Sequence, residues 1–588
     1  MRPASRLPLL AWLIPLGYLP GYLAGSRPDV GGSAILVGAT LLAWLLLDRA
    51  PDRLAPWGER RAAALAAGLP APAGPGPLAA RVALALAIAA FVVAVSAGSI
   101  ARVEALGRKE AFSVGIFQQA FWYTGQWLSG HGVPMGVTYS TRDASVHSQF
   151  GIHFSPLLML LTPIYHLRPA ASTLLILQAL ALGLAALPLA ALTRRALGPL
   201  GAAGVGVAWL LHPTVLGAPL NGFHDMAFAP VFLFLAFWAL EARRLPPYAL
   251  ALLALLGVRE DLAFAVLLLA PLAAWRRAPR AFVVLPALLG AVWLVVALRL
   301  IIPAYRTPEL LAMPAVFFRQ YLGSLGQTPG EVVRTLVTHP LVPLKRLLSR
   351  EAVLYLLAVL RPIGLLVPLP SPAWLVALQP LALNLLSDGG GLRMPLARYS
   401  LPVVAAFFAA LPAGILFWVA RLDPGAAALP AAGAPAGAGA VPATPALTHR
   451  GRASAARVVG LVLVSAVLAL LLTRIDEQFR AHPRADLAHQ RARLAAIPDT
   501  GAVLAPDWAY AQLANRARYA CLGSLEARVL DPGVLGRFQW VMLDLAPGSF
   551  ELQRYPELLP TLLDNLLLNN NFEKVDDGGP IYLFRRRS

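Results

Sequence analysis

Three adjacent charges, Arg259, Glu260 and Asp261, interrupt the apolar stretch ALLALLGVREDLAFAVLLLAPLAAW at residues 251–275. An arginine holds a phosphate through paired hydrogen bonds, and a carboxylate kept beside cations in a partly dry cavity can act as a general base. Residues of the same types recur at a few other places. Glu104, Glu110, Asp143, His147 and His153 fall between residues 100 and 153, His212, His224 and Asp225 follow an apolar run, and Arg393, Arg398 and Tyr399 precede another. Asp143, Asp225, Glu260 and Asp261 are therefore the candidate acids or bases, and His153, His224, Arg259, Arg393, Arg398 and Tyr399 the candidate substrate contacts. His147 and His153 do not share a helical face, so a metal site is the weaker reading of that pair. No phosphate loop of the form GxxxxGK, no HExxH and no GxSxG is present, and Cys521 is the only cysteine. No resident cofactor or metal is expected, with a divalent cation left open.

The elements that position these residues are written for a membrane. Hydrophobic residues make up 58% of the 588 and charged residues 13%, against about 25% charge in an ordinary soluble domain, and the mean hydropathy is +0.65. Apolar runs long enough to cross a bilayer recur from Leu9 almost to Leu472. The net charge of +19 comes from arginines scattered between those runs, which suits topology signals and not a nucleic-acid surface. Placing basic loops inside gives N-terminal transmembrane helices over 1–99, with an uncleaved first span, and a first extracytoplasmic loop over 100–153. A transmembrane core follows over 154–423, then a Pro/Ala/Gly-rich cytoplasmic linker over 424–455 and a last transmembrane helix over 456–475. Later spans in the core are expected near 352–368, 373–386 and 399–419. Residues 476–588 carry frequent charges and short β-like runs such as WVMLDL and PIYLF, which predicts a small extracytoplasmic α/β domain. Asp507 and Asp544 lie near its strand ends, where solvated loop acids are the commoner case. The fold class is thus mainly α, polytopic transmembrane helical, with about twelve or thirteen membrane segments and that C-terminal domain.

Counting arginines gives the three charges a topological meaning. Arg243 and Arg244 precede the stretch and Arg276, Arg277 and Arg280 follow it, so both ends favour the cytoplasm. A single helix would also hold three charges near the bilayer centre, at about 2.5–3.5 kcal/mol each. A broken hairpin whose tip, Gly257 to Asp261, lines a polar cavity avoids both problems. Lys345, Arg346 and Arg350 fall on the outer side in this topology and are assigned to an interfacial helix.

Several runs also carry a resemblance: FSVGIFQQAFW (112–122), HFSPLLMLLTPIY (153–165), LLILQALALGLAALPL (174–189), NGFHDMAFAPVFLFLAFWALE (221–241), GVREDLAF (257–264), and PLALNLLS with ARYSLP (380–402). Together they resemble a bacterial and archaeal family of predicted membrane proteins of unknown function, distantly similar to GT-C glycosyltransferases. The resemblance covers residues 100–420 and the C-terminal region. It implies a multi-pass protein of the cytoplasmic (inner) membrane, with its C-terminal domain outside. It also implies inverting transfer of a sugar from a polyprenyl-phosphate donor at the outer face, with an acid of the first outer loop as base. Where the family pattern reads FDLGIFDQ, this chain has Ser113 and Gln118, neither of which can be a carboxylate base. Asp143, the Glu260 and Asp261 pair, or Asp225 must then supply it, or the chain binds without turnover. The expected partner is a membrane lipid, a polyprenyl-phosphate sugar, and not nucleic acid. A non-catalytic binding or scaffold protein of envelope assembly and a transporter remain the other two classes.

Overall fold

The computed structural model describes residues 77–139, 145–307, 321–388, 391–423, 448–575 and 579–587. The expected first two spans, the low-complexity run 424–447 and Asp143 lie outside the described residues. Among the described residues, Leu78–Glu104, Ala171–Leu210, Arg280–Ala304, Arg398–Leu422 and Gly451–Leu472 are long and apolar enough to cross a membrane. At 40 residues, Ala171–Leu210 exceeds one crossing, and Gly198 breaks it just before Pro199, at a φ of 73° that an L side chain rarely adopts.

Prolines cut short the expected span near 352–368, whereas the apolar helical stretch Pro372–Leu386 coincides with the one expected near 373–386. Pro362, Pro368, Pro370 and Pro372 cannot continue a helix, and Gly364 takes a left-handed turn with φ 79°. Residues 350–386 are built from the short helix Arg350–Leu360, the 3-10 turn Arg361–Ile363, and the 3-10 stretch Pro372–Ala377 that the helix Leu378–Leu386 continues. The core of the helical part is centred on the buried Trp209, whose ring meets Phe234 and Phe408 edge-on at 5.1 and 5.4 Å. Its indole N–H donates to the Leu182 carbonyl, so the polar edge of this ring is satisfied in the core.

The stretch 100–153 is not only a loop. Most of it is the helix Arg108–Leu128, followed by a two-residue antiparallel ladder of β1 (Gly136–Val137) and β2 (His147–Ser148). Residues 503–586 form a five-stranded sheet: β3 (Val503–Leu504), β4 (Tyr519–Ala520), β5 (Trp540–Asp544), β6 (Phe572–Lys574) and β7 (Ile581–Arg586). Their order is β4-β3-β5-β7-β6, with β3 parallel to both neighbours and β7 antiparallel to β5 and β6.

The sheet docks on the Arg108–Leu128 helix through Tyr510. Tyr510 stacks on Tyr519 at 4.0 Å and its hydroxyl donates to Gln119 at 2.7 Å. Gly115 makes that approach possible, because a Cβ there would lie 2.4 Å from the Tyr510 ring. Arg108 adds an ion pair to Asp507 at 2.8 Å and lies over the Phe550 ring.

Candidate functional site

The hairpin is closed at its base. Leu245–Val258 and Ala263–Trp275 are its two arms, and the Arg243 guanidinium donates to the Arg276 carbonyl at 2.7 Å across 33 residues, while Arg276 also pairs with Glu241. Arg243 and Arg276 flank the arms, so both ends of the stretch meet on one side.

At the other end the first arm stops because Arg259 is fully extended, with φ −165°, and Glu260–Leu262 make one 3-10 turn before the second arm begins. Extension lets Arg259 fold back onto Asp261 in a bidentate pair, with Nε 2.9 Å from Oδ1 and Nη2 2.5 Å from Oδ2. Its Nη1 lies 4.0 Å from Asp225 Oδ1. Arg259 is only 5% exposed, and a cation so buried persists only with such partners.

Glu260 points to the segment after β2. One oxygen lies 2.8 Å from His153 Nδ1 and the other accepts from the Phe154 N–H at 2.9 Å. Asp225 accepts from the Ser155 hydroxyl at 3.0 Å and from its neighbour Met226 N–H at 2.8 Å. One short run, His153 to Ser155, thus meets acids from two distant stretches.

The Asn221–Asp225 turn is held from below. Gln178 donates to the Gly222 and Pro219 carbonyls at 2.8 and 3.1 Å and accepts the His224 N–H at 3.1 Å. Gly222, at φ 101°, lets the Arg108–Leu128 helix approach, since a Cβ there would meet Ser113 at 2.8 Å. His224 Nδ1 then faces Ser113 Oγ at 3.3 Å and Arg398 Nη1 at 3.4 Å.

Arg398 donates to the Tyr399 hydroxyl at 2.9 Å and stacks over that ring at 4.7 Å, and Arg259 lies over the same ring at 5.9 Å. The turn bearing Arg398 and Tyr399 is fixed by Asn384, whose amide reaches the Tyr355 hydroxyl and the Tyr399 carbonyl. The Tyr355 hydroxyl in turn lies 3.1 Å from Ser400 Oγ.

Eight of the residues singled out by type therefore join one network: His153, His224, Asp225, Arg259, Glu260, Asp261, Arg398 and Tyr399. Arg393 stands apart, with its guanidinium turned to the Ser387 carbonyl and the Ser349 hydroxyl. His212 is spent on structure, accepting from Thr214 N–H at a helix start and lying 3.1 Å from the Val359 carbonyl. Glu110 pairs with Arg102. Ser155, Gln178 and Asn384 had no sequence signal beyond being polar residues inside apolar runs. Among the described residues no group of three or more His, Cys, Asp or Glu side chains is arranged to hold a metal ion.

In the C-terminal sheet, Asp544 at the end of β5 is held by Arg484 and by the Trp508 indole N–H at 2.9 Å. Asp507 pairs with Arg108, and Glu551 beside it accepts the Asp507 N–H. Burial, then the neighbouring Asp507 charge, pushes the Glu551 carboxyl up to about 7. These acids make structural contacts that tie the sheet together and to the Arg108–Leu128 helix.

The pattern of a family described as "Predicted membrane protein (DUF2079)" matches residues 108–575. No curated protein matches the chain. Among solved structures, it is similar to ArnT from Cupriavidus metallidurans bound to undecaprenyl phosphate, at 13% identity and a TM-score of 0.39, covering 84% of this chain and 98% of that one. It is likewise similar to the apo form of the same protein, at 14% identity and a TM-score of 0.42, covering 85% and 97%.

Proposed function

We propose that this chain, which belongs to the family of predicted membrane proteins DUF2079, is a glycosyltransferase-like protein of the cytoplasmic membrane. In this reading it takes a polyprenyl-phosphate-linked sugar at the outer face, within a bundle of about twelve or thirteen membrane segments and with its C-terminal sheet outside. The observation that carries it is the meeting of Arg259 with Asp225 and Asp261, beside Glu260, at the tip of a hairpin closed at its opposite end, with Arg398 over the same Tyr399 ring as Arg259. The chemistry divides between the two arginines. Arg259 is committed to Asp261 and Asp225 and positions them, whereas Arg398 makes one short hydrogen bond, to a neutral phenol, and suits the phosphate. Glu260, linked to His153, is the candidate base that takes the proton of an acceptor hydroxyl as the sugar leaves its phosphate.

A second reading, binding without turnover, is favoured by a specific feature. Asp225, Glu260 and Asp261 each accept hydrogen bonds from the chain itself, and Ser113 occupies a position where the resemblance expects an acid. The full chain in nanodiscs, offered a panel of polyprenyl-phosphate sugars, separates the cases. Transfer by the wild type that is lost in Glu260→Gln with binding retained supports the enzyme. Binding without transfer, weakened by Arg398→Gln, supports the second reading. No binding by the wild type across the panel refutes both.

A further inference from the structure

The helices Pro329–Thr338 and Leu341–Leu347 contain no buried residue. Val333 and Val337 are 60% and 74% exposed and lie four apart, on one face of the first helix. Leu341, Leu344 and Leu348 are 67%, 46% and 69% exposed with spacings of three and four, on one face of the second. The two helices form an arm that is nevertheless held in place. Thr328 caps its start while Glu331 reaches back to the Gln327 N–H, and Arg346 fastens its far end to Asp388 and the Leu386 carbonyl.

The occupant of this stripe is indicated by its chemistry. Residues 329–350 hold four cationic side chains against the single acid Glu331, and Arg334 and Lys345 are exposed on the arm. The stripe itself is Val and Leu, without the Trp and Tyr that anchor protein interfaces, and lysine is depleted in those interfaces. An aliphatic face edged by cations is what an interfacial helix presents to a bilayer with anionic headgroups. The arm also leaves the bundle near the network described above: Tyr321 accepts the Asp388 N–H, and Arg306, at the end of the preceding span, donates to the Gly151 carbonyl just before His153.

We propose that residues 329–348 form an interfacial arm that lies on the membrane surface, with Val333, Val337, Leu341, Leu344 and Leu348 in the acyl boundary and Arg334 and Lys345 on anionic phospholipid headgroups. This rests on membrane insertion of the chain, not on sugar transfer.

The test uses an environment-sensitive dye at Val337→Cys. Cys521, the only other thiol, is buried and is replaced by Ala, and a dye at Leu568→Cys, on an 83% exposed position of the C-terminal region, serves as the aqueous control. The full chain is reconstituted in phosphatidylcholine vesicles with and without phosphatidylglycerol. Quenching at position 337 by shallow spin-labelled lipid, and not by iodide, is the expected result. Phosphatidylglycerol should strengthen it, and Arg334→Gln with Lys345→Gln should remove that gain, by about fivefold per cation in the ratio of seated to free arm. Quenching by iodide alone overturns the proposal. Protection from both quenchers, with cross-linking between copies or to another protein, overturns it in favour of a protein partner. An activity failure of the hairpin network leaves the quenching result unchanged, so the two readings fail separately.

Discussion

Replacing Glu551 by Gln should stabilise the protein above neutral pH and do little below about pH 5. The Glu551 carboxylate is 4% exposed, its Oε2 has no hydrogen-bond partner, and its neighbours Asp507 and Asp544 are both acids, ion-paired with Arg108 and Arg484. Burial and those charges raise it from 4.5 to about 7. Between these values the folded chain holds one proton more than the unfolded chain, so stability falls as pH rises through that window and then levels off. A carboxyl that titrates near 7 folded and at 4.5 unfolded costs about 3 kcal/mol once both states are ionised. Glutamine keeps the shape and the oxygen that accepts the Asp507 N–H, and removes the ionisation. Thermal unfolding of the full chain in detergent, scanned from about pH 5 to about pH 8, should show the wild type losing ground to Glu551→Gln across the upper part of the range. Two variants with parallel pH profiles would refute the assignment of that penalty to Glu551.

Gly115→Val places side-chain atoms where the Tyr510 ring already sits, at a cost of about 1–3 kcal/mol, and should release the C-terminal sheet from the helix; limited proteolysis between residues 473 and 500 would report it. Arg259→Met leaves Asp225 and Asp261 without their cation and should destabilise the chain by about 3–5 kcal/mol. Arg398→Gln should leave thermal stability close to wild type and weaken lipid-phosphate binding, and a thermal shift run with a binding titration distinguishes the two arginines. Ser113→Asp puts a carboxylate beside His224 and Arg398 and should raise transfer if the base is what this chain lacks; unchanged turnover with intact binding would count against that view.

Charge arithmetic made the hairpin legible in the sequence. Arginines on both flanks of one apolar stretch demanded a return to the same side, and once the tip was placed, His224, Asp225, Arg398 and Tyr399 followed by alternating spans. The arithmetic could not separate Arg393 from Arg398, since five residues of turn move both to the same side and only the Asn384 and Tyr355 contacts decide which guanidinium faces inward. Gln178 and Ser155 were invisible for another reason: a single polar residue in an apolar helix or turn looks alike whether it holds a site or fills a gap. The expected span near 352–368 ends early on local backbone chemistry, because hydropathy weighs Pro as mildly polar while its ring and missing N–H end the helix. Glu551 gave no signal, since an acid in the first turn of a short helix ordinarily faces water.

The lengths of the two hairpin arms set how reactants reach its tip. Fourteen residues, at about 1.5 Å each, carry the tip roughly 21 Å from the closed base, against about 30 Å of hydrocarbon. With the closed base placed at the cytoplasmic boundary, as in the proposed topology, the acids and arginines would fall about 9 Å short of the far boundary. A molecule dissolved in water would have to reach that depth by a three-dimensional search and shed hydration on the way. A headgroup on a lipid tail arrives sideways, already at nearly the right depth, by a search in two dimensions. In the proposed topology the short arms would thus act as a depth gauge that favours reactants carried by the bilayer itself.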